Sequence, residues 1–224
     1  MRKVDTVLFD FDGTVMDTTE VIVNSWQHTF KVLEGKERPL TDIYPTFGEP
    51  LDITMAKFFP DHPVADSVNI YRSYHMDNFG DMIRVFPGME ELLAKLQKED
   101  YTLALVTSRL KRTTDQGLKA YDLDQYFEYV LTCDDTDKHK PDPAPVNITL
   151  DKLNKKPENA IMIGDTMFDI LCARNAGVKS VLVDWAVAVT DEQRQGADAP
   201  DFIIKDPMEI MDILDELNHL PFFS

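Results

Sequence analysis

The stretch Val7-Leu8-Phe9-Asp10-Phe11-Asp12-Gly13-Thr14 opens the chain with an uninterrupted apolar run and then sets two acids one residue apart. A short run of this kind, closed by a turn signal, predicts a strand buried on both faces. Side chains alternate along a strand, so Asp10 and Asp12 converge on one point just past its end. Two neighbouring carboxylates repel each other. The arrangement is tolerable where a divalent cation lies between them or where one holds a proton, and both cases are useful to catalysis. Gly13, directly after the pair, permits a positive φ or a close backbone approach.

The same signal recurs along the chain. Leu103-Ala104-Leu105-Val106, Tyr129-Val130-Leu131, Ile161-Met162-Ile163 and Ser180-Val181-Leu182-Val183 also read as buried strands. Between them, apolar residues fall at helical spacing, as in Met89, Leu92, Leu93 and Leu96, or Met208, Met211, Ile213, Leu214 and Leu217. Strands alternating with helices predict an α/β fold with a parallel sheet and right-handed crossovers, which binds ligands at the carboxyl ends of its strands. One interval departs from the rhythm. From Asp17 to Arg84 only helical patterns occur, such as Val21, Ile22, Ser25, Trp26, Thr29 and Phe30, cut into short pieces by Pro39, Pro45, Pro50, Pro60 and Pro63. Val85-Phe86-Pro87-Gly88 reads as the return linker, with Pro87 opening the next helix. The organisation expected is a core of residues 1–16 and 85–224 with a smaller, all-helical unit at 17–84.

Three further strand ends carry polar chemistry. Val106-Thr107-Ser108-Arg109 places hydroxyls and backbone N–H groups at a strand-to-helix turn, a setting that suits a phosphate. Lys140, in Lys138-His139-Lys140-Pro141-Asp142-Pro143, supplies a cation whose backbone is restricted by the proline after it. Ile161-Met162-Ile163-Gly164-Asp165 ends a strand in an acid, and Asp169 follows one helical turn later, so the two offer hard oxygen ligands of the kind that suit Mg2+.

Composition narrows the function classes. The chain has 224 residues, 43% of them hydrophobic, with 23 Lys and Arg against 40 Asp and Glu and a formal net charge of -17. Such a chain repels nucleic acid and anionic membranes at long range, so neither is expected as a partner. An anionic substrate would need local cations to work against the global field. Two cysteines, Cys133 and Cys172, show no metal-like spacing, and no window is long and apolar enough to span a membrane, so a cytoplasmic protein is expected. A monomer is expected, with a homodimer as the alternative.

As a set, these strand ends resemble the four motifs of the haloacid dehalogenase superfamily of phosphohydrolases. Asp10-Phe11-Asp12-Gly13-Thr14 is similar to its first motif, Thr107-Ser108 to its second, Lys140 to its third, and Gly164-Asp165 with Asp169 to its fourth. The likeness extends over nearly the whole chain, and the insert after the first motif stands where the family carries a helical cap. The resemblance implies a Rossmann-like parallel-sheet α/β core with that cap. It implies that Asp10 is the nucleophile that forms an aspartyl-phosphate and that Asp12 is the general acid and base. Thr107 and Ser108, with Gly13, Arg109 and Lys140, would bind the substrate. Mg2+ would be held by Asp10, the backbone carbonyl of Asp12 and Asp165, with Asp169 supporting it through water or by orienting Lys140.

Phe47-Gly48-Glu49-Pro50 and the segment from Asp134-Asp135 to Pro145 resemble the phosphoglycolate phosphatase and inorganic pyrophosphatase branch most. A small phosphorylated metabolite is therefore the expected substrate. The alternatives are a β-phosphoglucomutase-like phosphomutase, which is disfavoured because Ile22 stands where that branch carries a histidine, and a non-catalytic phosphate sensor. Arg109, Thr18, Glu20, Thr46, Gly48 and Glu49 are candidates for specificity, with Arg109 as an additional contact for an anion. His28, His62, His75 and His139 read as surface or cap histidines, Trp185 as packing on the core rim, and Phe222 and Phe223 as covering a hydrophobic edge.

Overall fold

The computed structural model describes residues 3–219. Thr6–Phe9 forms β1 with every side chain buried, and after a turn Met16–Asp17 forms the short β2. Four helices come next: α1 (Thr19–Glu34), α2 (Leu40–Ile43), α3 (Leu51–Phe58) and α4 (Val64–Met82). Arg84–Val85, β3, pairs antiparallel with β2 and closes the excursion. Strands and helices then alternate as α5 (Met89–Lys98), β4 (Thr102–Val106), α6 (Lys111–Ala120), β5 (Tyr129–Leu131), α7 (Ala144–Leu153), β6 (Ala160–Gly164), α8 (Met167–Asn175), β7 (Lys179–Val183), α9 (Asp191–Gln195), β8 (Phe202–Ile204) and α10 (Glu209–His219).

The six strands of the main sheet run in the order β5-β4-β1-β6-β7-β8, and every neighbouring pair is parallel. The fold is the α/β architecture expected, with β1 at its centre. Alternation along the strands sorts the core into two layers. Val7 and Phe9 join Leu103, Leu105, Ile161 and Ile163 under α5 and α10, while Leu8 joins Ala104, Val106 and Met162 under Val146 and Leu150 of α7 and Cys172 and Ala173 of α8. Each Val, Leu, Ile, Phe or Met among them contributes about 1.5–3 kcal/mol by leaving water. The register places Phe9 opposite both Leu105 and Ile163, so β1, β4 and β6 end at one level. The loops leaving the carboxyl ends of those three strands are thereby brought together.

The inserted helices have a core of their own: Trp26, Phe30, Ile43, Phe47, Met55, Phe59, Val68 and Tyr71. Trp26 stacks on Phe30 with ring centroids 5.7 Å apart, and the Arg38 guanidinium covers the Phe30 ring at 4.6 Å. In α1 the buried positions are Val21, Ser25, Trp26, Thr29 and Phe30, the stripe its spacing predicts, and Gly35 ends the helix at φ 74.

Three details differ from the sequence reading. The β2–β3 ribbon and the edge strand β8 were not expected, and Pro87 does not open α5. That helix begins at Met89 behind Gly88, which takes φ 81. Phe222 and Phe223 lie outside the described residues. Among the described residues, no helix is long and apolar enough to cross a membrane.

Candidate active site

β1 carries its hydrogen-bond ladder one residue past its end, because the Asp10 amide donates to the Ile163 carbonyl at 2.9 Å. The Thr107 amide is fixed likewise on Leu131, at 3.0 Å. After Asp12 the chain reverses tightly, with the Val15 and Met16 amides donating to the Phe11 carbonyl and the Gly13 amide to that of Met16. Gly13 adopts φ +69, and a Cβ there would stand 1.9 Å from Asp165 Oδ2. Both the conformation and the close approach of the β6 acid require glycine at this position.

Lys140 is buried between two acids, its Nζ 2.9 Å from Asp10 Oδ1 and 2.6 Å from Asp169 Oδ1. Asp169 is held from its other oxygen. Its Oδ2 accepts from the Thr166 amide at 3.0 Å and the Thr166 hydroxyl at 2.6 Å, a reciprocal cap at the start of α8. Carboxylate oxygens of Asp10, Asp165 and Asp169 lie within 4.8 Å of one another, and all three residues are buried.

Burial pushes the Asp10 carboxyl up to about 7; the nearby charges of Asp169 and Asp12 add to the rise and Lys140 opposes it. Asp165 is raised well above the carboxylate range by burial and by repulsion from Asp169, Asp10 and Asp12. Burial works against the charge on Lys140, but Asp10 and Asp169 outweigh it and hold the ammonium protonated. The cluster thus contains more negative charge than one lysine balances. Asp10 Oδ1 also remains without an aligned hydrogen bond. A divalent cation with oxygen ligands supplies the missing charge, so the donor set fits Mg2+.

Asp12 faces the helical insert. The Arg109 Nε donates to both Asp12 oxygens, at 3.1 and 2.9 Å, and Nη2 donates to Oδ1 at 2.7 Å. Burial would raise the Asp12 carboxyl, but the charge and hydrogen bonds of Arg109 hold it below the usual range. Arg109 Nη1 donates to His75 Nε2 at 2.9 Å, and the guanidinium lies 4.6 Å from the Phe79 ring and 5.6 Å from that of Phe11. Arg109 is therefore neither a surface residue nor a guanidinium left open for an anion. Its aromatic cradle turns it inward, where Asp12 occupies its fork.

A cavity of about 350 Å3 lies between the sheet ends and the helical insert, a volume suited to a small metabolite. From the core, Asp10, Asp12, Gly13, Thr107, Ser108, Arg109, Lys140, Asp165 and Asp169 all reach it. From the insert come Thr18, Thr46, Gly48 and Glu49, whereas Glu20 is exposed and does not line it. Gly48, at φ +81, brings its loop so close to α8 that a Cβ would meet Phe168 at 2.9 Å.

Several lining residues carry no functional signal in the sequence, among them His75 and Arg72. His75 is 7% exposed rather than on the surface, with burial and the adjacent Arg109 lowering it to about 3. Arg72, one turn earlier on α4, stands exposed at the cavity wall. The spacing of Tyr71, His75 and Phe79 along α4 would have shown that His75 shares the buried face. Trp185 packs near Phe86, with centroids 5.3 Å apart, and also donates its indole N–H to the Gly13 carbonyl at 3.0 Å.

The family model described as haloacid dehalogenase-like hydrolase matches residues 7–183. A PpaX-named relative from Caldanaerobacter subterraneus subsp. tengcongensis is 36% identical over 212 residues, 95% of each chain. The pyrophosphatase PpaX of Bacillus thuringiensis is 32% identical over 216 residues, 96% of this chain and 99% of that one. Among solved structures, a haloacid dehalogenase-like family hydrolase from Streptococcus pneumoniae superposes with a TM-score of 0.84 at 26% identity, covering 94% of this chain and 98% of its own. With the four motifs meeting at one cavity, three from the ends of β1, β4 and β6 and Lys140 from the loop after β5, and the family model covering most of its length, the chain belongs to the haloacid dehalogenase-like hydrolases.

Proposed function

We propose that the protein is a cytoplasmic, Mg2+-dependent phosphatase that hydrolyses a small phosphorylated metabolite of the pyrophosphate or phosphoglycolate type through an aspartyl-phosphate. The observation that carries this reading is the Asp10 carboxylate, fixed at a strand end beside Lys140 and Asp165 and opening on a metabolite-sized cavity. The PpaX names of the relatives favour pyrophosphate within that class.

In the first step an Asp10 oxygen bonds to phosphorus as the bond from phosphorus to the leaving oxygen breaks, and Asp12, which has to enter the step protonated and so parted from Arg109, gives that oxygen its proton. In the second, Asp12 takes a proton from water, the water oxygen bonds to phosphorus, and the bond to Asp10 breaks to release phosphate. Thr107 suits the transferring oxygens because its Oγ1 already accepts from the Arg109 amide at 3.1 Å, which leaves the hydroxyl proton free to donate. The exposed Ser108 offers its backbone N–H beside it. Lys140 contributes fixed positive charge, oriented by Asp169. A Mg2+ ion held by Asp10, Asp165 and the Asp12 carbonyl would neutralise the phosphoryl oxygens.

A phosphate-release screen with Mg2+ across pyrophosphate, 2-phosphoglycolate, sugar phosphates and nucleotides tests the reading. One substrate is expected well above the rest, with its turnover abolished in a folded Asp10→Asn variant. Turnover retained by that variant, or no release by a folded, metal-bound protein, would refute it.

A further inference from the structure

We propose that Arg109 is an anion latch: in the resting site it fastens the Asp12 carboxylate, and a substrate with a second anionic group beside its leaving oxygen displaces Asp12 from the guanidinium. The inference rests on the phosphatase reading and names the substrate class within it. A carboxylate or a phosphoryl group at that place matches the fork that Asp12 now fills, because both present two oxygens to two parallel N–H groups.

The arginine is the fixed partner and the carboxylate the movable one. The Arg109 side chain is 7% exposed and that of Asp12 27%. Phe79 and Phe11 pack against the guanidinium, and its Nη1 is anchored on His75. The anchor extends into the helical insert. The Ser25 hydroxyl donates to the Val21 carbonyl at 2.5 Å, so its oxygen accepts from His75 Nδ1 at 3.2 Å. His75 therefore carries its proton on Nδ1 and turns the Nε2 lone pair to Arg109. Asp12, by contrast, lies in the tight turn before Gly13, at the cavity wall.

Charge accounting at the cavity leads to the same place. Lys140 is committed to Asp10 and Asp169, which leaves Arg109 as the other buried cation among the lining residues. An anionic leaving group needs a counter-charge near Asp12, and the guanidinium is there. When the substrate anion takes the fork, the Asp12 side chain is released toward the leaving oxygen, where the mechanism requires it. A neutral leaving group offers no replacement, so Asp12 stays fastened and turnover is slow. The latch thus selects pyrophosphate-like and 2-phospho-hydroxyacid substrates by how they are turned over as well as by how they bind.

The test uses a substrate cut in two. Methyl phosphate lacks the second anion, and formate or phosphite supplies it separately, with chloride at equal ionic strength as control. Wild-type protein with Mg2+ is expected to show saturable activation of methyl phosphate hydrolysis by one or both anions, of about tenfold or more, as one charged hydrogen-bonded contact allows. Stronger activation by formate points to carboxylate substrates and by phosphite to phosphoryl ones. A folded Arg109→Met variant is expected to show no activation and to lose about a hundredfold of the preference for 2-phosphoglycolate over methyl phosphate. The latch is overturned if the anions only inhibit, or if activation survives Arg109→Met and disappears in Arg72→Met, which would place the anion on Arg72. Pyrophosphate or 2-phosphoglycolate hydrolysis without any activation overturns the latch alone, whereas failure to release phosphate from every substrate overturns the phosphatase reading and the latch with it.

Discussion

Lys140 shows how a single residue can hold a site together and threaten it when lost. Its ammonium neutralises two buried carboxylates, at 2.9 Å from Asp10 and 2.6 Å from Asp169. Lys140→Met leaves both charges unpaired, and metal-free protein should lose about 3–5 kcal/mol in urea unfolding. Added Mg2+ should recover part of that loss by binding the same carboxylates in the folded state; an unchanged urea midpoint would contradict the pairing. His75 makes a prediction in pH. Burial first, and then Arg109, lower its folded value to about 3 from 6.5. Below pH 6.5 the unfolded chain takes a proton that the folded chain refuses, so this residue costs the wild type stability as pH falls from 6.5 toward 3. The urea midpoint of His75→Gln should accordingly gain on that of the wild type across this window, and a constant difference would contradict it. Asp10, Asp12 and Asp165 were legible as candidates because they follow the ends of β1 and β6, and Lys140, in the loop between β5 and α7, because a proline-rich pattern surrounds it. The Arg109–Asp12 pairing was not, since its partners are 97 positions apart and only the register of β1 and β4 brings them together.

At the level of elements, the turn after β1 is the most demanding piece of backbone. Gly13 needs its φ of +69 and the space that Asp165 Oδ2 would contest at 1.9 Å. Gly13→Ala should cost about 1–2 kcal/mol for the left-handed backbone alone, and it should also weaken Mg2+ binding by displacing Asp165. Urea unfolding and calorimetric titration of Mg2+ measure the two effects separately, and native Mg2+ affinity in the variant would contradict the packing. Five strands of the main sheet were legible as apolar runs, whereas β8 was not. It has only three residues at the sheet edge, with Ile203 40% exposed, so it carries neither length nor a continuous buried pattern. The β2–β3 ribbon is shorter still, and its pairing joins the two ends of the helical insert. No local spacing encodes such a contact. Gly88 overrode the expectation for Pro87 because its φ of 81 makes it the residue that turns the chain into α5.

Over the whole molecule, core layers on both faces of the main sheet and a separate helical core frame a cavity of about 350 Å3 at the strand ends. The net charge of -17 would repel an anionic substrate, and the buried cations Lys140 and Arg109 are the local answer to it. Arg72 and His75 were hidden from the sequence reading because the insert's helical patterns announce packing and carry no motif. The central claim is that Asp10 carries the phosphoryl group, and trapping that acyl-phosphate tests it most directly. Mg2+-loaded protein would be mixed with unlabelled substrate, quenched in acid within one turnover, and reduced with tritiated borohydride, which expels the phosphate and leaves tritium on the former acyl-phosphate carbon. The account predicts label on the peptide containing Asp10 in the wild type and none in Asp10→Asn. Phosphate release without any labelled protein, or label on a different residue, would contradict it.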